Sequence, residues 1–405
     1  MSRYRHGPVL LLEAANGASG VANAVVMITI PWLVLEQTGS AASAGLVVAL
    51  ASLPGIVVAP LVGYAIDRLG RRLVSIASDV LSAISVAAFP LVASLDELSF
   101  GWILVLAVVG ATFDPGGYTA RRSLIPDVSA ASGLSADRLN GMHEGVFTVG
   151  WTIGPLLGAA LIATVGAVSA FWAPFALFLV AIACIVALRV GDAGQAARKA
   201  SGRPPGGRLH ESLLGARLLW QDRALRALTI AIMVLAAVYL RTESVVLPAY
   251  FEGLSAPGGL GVVISALAAG SVIGAFGYGW ISNRMTRYHL ARLILIGTVV
   301  AIVPMSLLPP LPLMTLAAFC LGLAWGPMNP LMSTLIQRRI PADAQGRVYG
   351  VQMSVFYAAP PLAMLLTGWS IERFGVQATY LVLAGILVVT ALAVLFVRSI
   401  RDIDA

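Results

Sequence analysis

Gly63-Tyr64-Ala65-Ile66-Asp67-Arg68-Leu69-Gly70-Arg71-Arg72 sets four charges between two long apolar stretches, 42–66 and 73–95. Ten residues are too few for a domain, and each apolar flank is long enough to cross a hydrocarbon core, which takes about 20 mostly apolar residues. Working outward with the same rule gives twelve spans, at 8–35, 42–66, 73–95, 101–121, 140–163, 168–190, 224–251, 258–282, 289–309, 311–336, 347–370 and 375–398. Backbone amides in a bilayer must bond within their own segment, so these spans are predicted to be helices. The first follows Arg3 and Arg5 like a signal peptide, but it is too long for one. It also carries Glu13, Asn16 and Asn23 and runs through Pro31-Trp32 without a clear cleavage site.

Composition agrees. Of 405 residues, 59% are hydrophobic and 11% charged, and the mean hydropathy is +0.89. Soluble domains carry about 25% charged residues, so a water-soluble globule is excluded. The net charge of +7 does not point to nucleic acid, because the basic residues lie between apolar spans rather than on one polar face. Cys184 and Cys320 lie inside apolar runs, and His6, His143, His210 and His289 are scattered. No metal-ligand spacing, nucleophile constellation or Gly-Lys-Ser/Thr phosphate loop is present, and the one lysine is Lys199. A metal site and a membrane enzyme are therefore not expected. A passive channel in its simplest form needs repeated pore segments, which this chain lacks.

The arginines orient the chain. The even-numbered loops and the termini hold Arg3, Arg68, Arg71, Arg122, Arg198, Arg203, Arg284, Arg287, Arg338, Arg347 and Arg401, among others. The opposite loops hold Glu36, Asp96, Glu97, Glu252, Glu372 and Arg373. Positive loops stay in the cytoplasm, so both termini are expected there. The longest polar stretch, 191–223, opens with Gly and Pro (Gly194, Pro204, Pro205, Gly206, Gly207). It continues into an amphipathic segment, His210 to Asp222. It divides the chain into a six-helix bundle at 1–190, a cytoplasmic linker at 191–223 and a second six-helix bundle at 224–405.

The two halves repeat. A shift of about 216 residues sets Glu36 on Glu252, Gly45 on Gly261, Gly63 on Gly279, Asp67 on Asn283, Arg68 on Arg284 and Arg71 on Arg287. Slightly smaller shifts set Asp114-Pro115 on Asn329-Pro330, Pro126 on Pro341, Arg138 on Arg347 and Gly166 on Gly375. The order of charged and proline matches points to a parallel repeat, with the substrate site near mid-membrane where the bundles meet.

The motif at 63–72 and this repeat resemble the major facilitator superfamily, whose signature loop reads G-x-x-x-D-R-x-G-R-R. In that reading Gly63 lets another helix approach closely, and Asp67 faces the positive N-terminal end of a helix in the other half, plausibly span 11. Arg71 and Arg72 pair with acids at the ends of spans 3 and 4, such as Asp127. Arg68 and Gly70 complete the gating loop, and the plainer alternative is an ordinary positive loop. Gly150-Trp-Thr-Ile-Gly154-Pro155-Leu-Leu-Gly158-Ala159 resembles the family's antiporter motif with Ala for the final Gly. Gly150, Gly154, Pro155 and Gly158 then give close packing and a bend that limits leakage; generic small-residue packing is the alternative.

Ionisable residues inside spans are functional candidates by default. Burial raises a carboxyl pKa and a nearby Arg lowers it, so an acid that exchanges those environments binds and releases a proton. Glu243, with Arg241 nearby, is the first choice as proton carrier and Glu144 the second. Asp114 and Glu13 are further candidates; with Asp79 they also read as inner-gate ion-pair residues. Asn16, Asn23, Tyr239, Asn329, Gln352 and Tyr357 are candidates for a substrate cavity, with bonding to a neighbouring helix as the other role open to each.

Further stretches resemble the Tap-type multidrug exporters of actinobacteria: 31–36, 72–82, 243–248, 308–312, 326–330 and 346–350. The resemblance implies an all-α membrane protein of twelve helices in the plasma membrane, working as a drug:proton antiporter. It needs no cofactor beyond the proton gradient. Its partners are small amphiphilic substrates (tetracycline- or aminoglycoside-like), protons and the bilayer, with no nucleic acid, and it acts as a monomer. The rival from the same fold is a transporter of an endogenous lipid or siderophore.

Overall fold

The computed structural model describes residues 6–38, 41–95, 98–192, 208–254 and 256–396; many side chains within these stretches, among them those of 208–214, 354–365 (with Tyr357) and Asp114, also lie outside the described residues. The segment 193–207, which holds Lys199 and the Gly/Pro part of the predicted linker, lies outside them as well. Every described element is helical, and a helix stands at each of the twelve predicted spans. In chain order these are α1 (His6–Thr38), α2 (Ala41–Leu69), α3 (Arg71–Leu95), α4 (Phe100–Ser132), α5 (Ala136–Val165) and α6 (Trp172–Ala187). After the linker come α7 (Arg208–Gln221), α8 (Arg223–Arg241), α9 (Leu247–Gly253), α10 (Pro257–Ile281) and α11 (Arg287–Ser306). The chain ends with α12 (Leu311–Trp325), α13 (Met328–Arg339), α14 (Gln345–Phe374) and α15 (Val376–Phe396). Among the described residues, nine helices are long and apolar enough to cross a membrane. The fold is thus an all-α multi-pass membrane architecture.

Local sequence explains the helix ends. Ser99, Ser135 and Thr286 stand as N-caps, their hydroxyls accepting from the N–H of Trp102, Arg138 and His289. The span 63–72 is not an extended loop. α2 continues through Asp67 to Leu69, Gly70 alone takes a left-handed φ of 99°, and α3 begins at Arg71. One glycine therefore turns the chain, because a side chain is strained in that conformation.

Two predicted spans are broken. The tenth comprises α12 and α13, parted at Gly326-Pro327, where the proline supplies no N–H. The seventh comprises α8 and α9 with a five-residue π-helical segment, Thr242–Val246, between them.

The chain forms two compact units. The first comprises 1–139, 146–217 and 340–357; the second comprises 140–145, 218–339 and 358–405. In the first unit an apolar core gathers Val34, Phe89, Ile103, Phe171 and Phe178, with Phe89 stacked on Phe171 at 4.2 Å. In the second, α10 and α12 meet through glycines. A Cβ on Gly270 would lie 2.1 Å from the Phe319 carbonyl oxygen, and one on Gly322 would lie 2.0 Å from that of Leu267. Gly274 and Gly326 are as close to the facing backbone, the small-xxx-small packing of membrane helices. Polarity is distributed as a bilayer requires: the Arg71 and Arg121 side chains are 2% exposed, while Leu156 and Val389 are 70% and 67% exposed.

Candidate functional site

The signature stretch is built against the first turn of α14. Gly63 lies so close to this turn that a Cβ would fall 2.4 Å from the Gly346 carbonyl oxygen. That contact lets Asp67, one turn further along α2, reach two backbone amides that have no partner inside their own helix. Its Oδ1 accepts from the Gly346 N–H at 3.0 Å, and its Oδ2 accepts from the Arg347 N–H at 3.1 Å and from the Arg347 Nε at 2.9 Å. A carboxylate at a helix N-terminus is favoured by the helix dipole as well as by these bonds. Asp67 lies past the second membrane span, and burial pushes its carboxyl up to about 7, with Arg347 and the two amides pulling the other way. Gly215 of the linker helix α7 packs on the same turn, where a Cβ would lie 2.7 Å from the Arg347 carbonyl oxygen.

Arg71 is the hub beside this cap. Its Nη1 pairs with Asp127 Oδ2 at 2.8 Å, its Nη2 donates to the Ala342 carbonyl and to Gln345 Oε1, and its backbone N–H donates to Asp192. A planar guanidinium with a fork of donors suits this arrangement, which a single ammonium would not fill. Arg72 takes backbone carbonyls instead of an acid: its guanidinium donates to Ile185 and Val186 at the end of α6. Arg68 is exposed and donates to the Tyr64 hydroxyl.

The stretch 150–158 forms a seam between α5 and α1. Cβ atoms added at Gly150 and Gly154 would meet Val21 N at 3.2 Å and Ala24 Cβ at 2.3 Å. Gly158 faces Val25, and Gly17 and Gly20 supply the reciprocal small surface on α1. Pro155 lies within α5, half-buried.

In the second unit, residues 140–145 of α5 meet α13 and α10. Glu144 Oε1 accepts from Asn329 Nδ2 at 2.9 Å. One turn away the Asn140 and Gln337 amides bond reciprocally at 2.8 and 3.2 Å. Asn140 also donates to Thr334, as does the Tyr278 hydroxyl. Two predicted residues, Glu144 and Asn329, thus come together, whereas Asn140, Thr334, Gln337 and Tyr278 were not singled out. Their sequence signal was the four-residue spacing of Asn140 and Glu144, which puts both on one helix face.

Glu243 is the second residue of the π-helical segment, a rare conformation that recurs at functional sites. No ion pair joins it to Arg241 among the described residues. Tyr239, four residues earlier, stacks on Trp325 with centroids 5.1 Å apart. Glu13 and Asn16 are buried in α1, Gln352 is buried in α14, and Asn23 is half-buried. Asp79 pairs with Arg121 at 2.6 Å within the first unit, so its partner belongs to its own bundle.

Helical spans with an apolar exterior, buried charges and a capped helix junction define a polytopic helical membrane protein. Residues 14–363 match the family model of the Major Facilitator Superfamily, and the chain belongs to that family. It is 35% identical to the multidrug efflux pump Tap of Mycolicibacterium fortuitum, over 100% of this chain and 99% of that protein. It is 22% identical to macrolide efflux protein A of Streptococcus pyogenes, over 96% of each chain. A solved human organic anion transporter has the same fold, with a TM-score of 0.74, 17% identity and coverage of 96% of this chain and 99% of that one.

Proposed function

We propose that this protein exports drug-like amphiphilic compounds, of the tetracycline or aminoglycoside kind, in exchange for protons. The single observation that carries export is the 35% identity, along the whole chain, to a multidrug efflux pump. The glycine seam at 150–158 supports it, because it occupies the positions of the antiporter motif. Proton coupling is supported by acids within the spans, Glu243 and Glu144 foremost, with Glu13 and Asp114 behind them and Arg241 as a nearby cation. We place the protein in the inner membrane as a monomer with both termini in the cytoplasm. Its functional halves are 1–190 and 224–405, joined by 191–223. Asp67, Arg71 and their partners on α14 form the latch of the cytoplasmic side, with Gly63, Arg68, Gly70 and Arg72 around them. Asn16, Asn23, Tyr239, Asn329, Gln352 and Tyr357 line the path of the substrate.

Drug accumulation in cells, with and without a protonophore, tests this reading. Expression is expected to lower tetracycline accumulation, and collapsing the gradient to restore it. Unchanged accumulation for every drug class tested would overturn the reading and leave an endogenous amphiphile as the substrate.

A further inference from the structure

Asp79, on α3, and Arg121, on α4, form an ion pair with both side chains almost wholly withdrawn from solvent, 1% and 2% exposed. Asp79 stands eight residues into α3, about 12 Å from its start at 1.5 Å per residue. Asp79 Oδ2 accepts from Arg121 Nη1 at 2.6 Å. The Ser19 hydroxyl, on α1, accepts from Arg121 Nη2 at 2.8 Å and donates to Asp79 Oδ1 at 3.2 Å. Ser75 accepts from Arg121 Nη1 at 3.4 Å, and Arg121 Nε is buried with no partner.

A pair retained only to hold helices together would be expected to satisfy all its donors, because an unmet buried N–H is expensive. Burying an ion pair in a bundle is itself poor value for stability. Ionised residues within membrane spans are instead kept for function. The pair packs closely on the backbone of α4. Gly117 faces the pair, and a methyl there would lie 3.1 Å from both Asp79 Oδ1 and Arg121 Nη2.

Among the described residues, most of the charges nearby are otherwise engaged; the side chain of Asp114, also on α4, lies outside them. On α4, Asp127 takes Arg71, and Arg122 lies over the rings of Tyr118 and Tyr349. On α3, Arg71 and Arg72 are held at its first turn, and on α2, Asp67 and Arg68 bond to Arg347 and Tyr64. α6 has no charged residue, and the acid of α1 nearest Ser19 is Glu13, about 9 Å along the helix axis. Arg121 is therefore the cation that decides the state of Asp79.

We propose that Asp79 is a proton-carrying residue of the first unit, with Arg121 as the cation that competes with the proton and Ser19 as the hydroxyl relay between them. It rests on the proton-coupled reading above and adds to Glu243 a second acid in the other half. When a proton adds to a carboxylate oxygen of Asp79, the charge that holds Arg121 disappears. The new O–H donates to Ser19, whose own hydroxyl turns away, and Arg121 is released to another acceptor. Return of Arg121 expels the same proton to water, so no other reactant is consumed.

The test uses the full chain in proteoliposomes, with tetracycline as probe. Gradient-driven accumulation is measured beside exchange of labelled for unlabelled tetracycline without a gradient. Asp79→Asn is expected to lose driven accumulation at least tenfold and keep exchange within twofold, and Asp79→Glu to restore driving. Driven accumulation at the wild-type level in Asp79→Asn, while the wild type depends on the gradient, would overturn this inference alone. Loss of driving and exchange together, with a fall in melting temperature, would also overturn it, showing a purely structural pair. A wild type indifferent to the gradient would instead overturn the proton-coupled reading.

A second arm needs no substrate. Infrared difference spectra between acid and alkaline pH are expected to show one protonated-carboxyl band fewer in Asp79→Asn. Arg121→Gln is expected to keep that band but shift its frequency, because the Asp79 carboxyl loses a hydrogen-bonding neighbour. An unchanged band in both variants would overturn the assignment.

Discussion

The Arg71 guanidinium serves Asp127, the Ala342 carbonyl and Gln345 at once, and its removal sends a direct signal. Arg71→Ala removes the ion pair with Asp127 and the donations to the Ala342 carbonyl and Gln345. Breaking a buried pair from one side costs about 3–5 kcal/mol, so thermal unfolding of the purified protein is expected to shift down clearly. Arg71→Lys is expected to recover only part of it, since an ammonium cannot serve Asp127 and Gln345 with the same fork. Asp67 allows a prediction with a sign. Its carboxyl is raised from 3.8 to about 7 by burial, so the proton binds more tightly in the capped arrangement than in water. Linkage then favours the cap most below about 3.8 and progressively less as pH rises towards about 7, with no further change above. Hydrogen-exchange protection at Gly346 and Arg347, corrected for intrinsic rates, is expected to be greater at about pH 6 than at about pH 8. Asp67→Asn should flatten that difference and slow the transport cycle without loss of expression. The motif residues were legible in the sequence because their spacing is rigid. Their partners were legible only in part: Asp127 lies 56 residues from Arg71, whereas Gln345 lies 274 away, and no local pattern links residues so far apart.

At the scale of elements, hydropathy located every span, but it was blind to how the spans are interrupted. The π-helical segment at Thr242–Val246 has no signature in composition, since one extra residue in a turn leaves the apolar content unchanged. Its presence sharpens the role of Glu243. A π turn lacks the regular i→i−4 bond and is used where a helix has to rearrange. Glu243→Gln is expected to abolish proton-driven transport while tetracycline binding remains measurable by equilibrium dialysis; normal pumping by this variant would remove Glu243 from the mechanism. The glycine seams yield a second prediction. Gly270→Ala would thrust a methyl to 2.1 Å from the Phe319 carbonyl oxygen, an overpacking worth about 1–3 kcal/mol. The melting temperature should fall, whereas Gly277→Ala, where nothing lies within 4 Å, should leave it unchanged. Glycine spacing hinted at such seams, but only the structure shows that Gly270 and Gly274 pack on the backbone of Phe319 and Leu323, and Gly322 and Gly326 on that of Leu267 and Ser271.

For the whole molecule, the motif at 63–72 and the internal repeat were enough to read a resemblance to the major facilitator superfamily, and the match over residues 14–363 bears the family out. The buried polar contacts were not readable in the same way. Asp79 reads from the sequence as an inner-gate ion-pair residue without a named partner; the structure supplies the partner, Arg121 of the same unit. Asn140 and Gln337 pass unnoticed in a sequence because uncharged amides are common at helix ends. The functional account requires that drug and proton move in opposite directions through one chain. Proteoliposomes carrying a lumenal pH dye and loaded with tetracycline, with no imposed pH gradient, test that requirement directly. As tetracycline leaves down its own gradient through the protein, the lumen is predicted to acidify beyond the level seen in protein-free liposomes. Tetracycline efflux through the protein at constant lumenal pH would contradict the account.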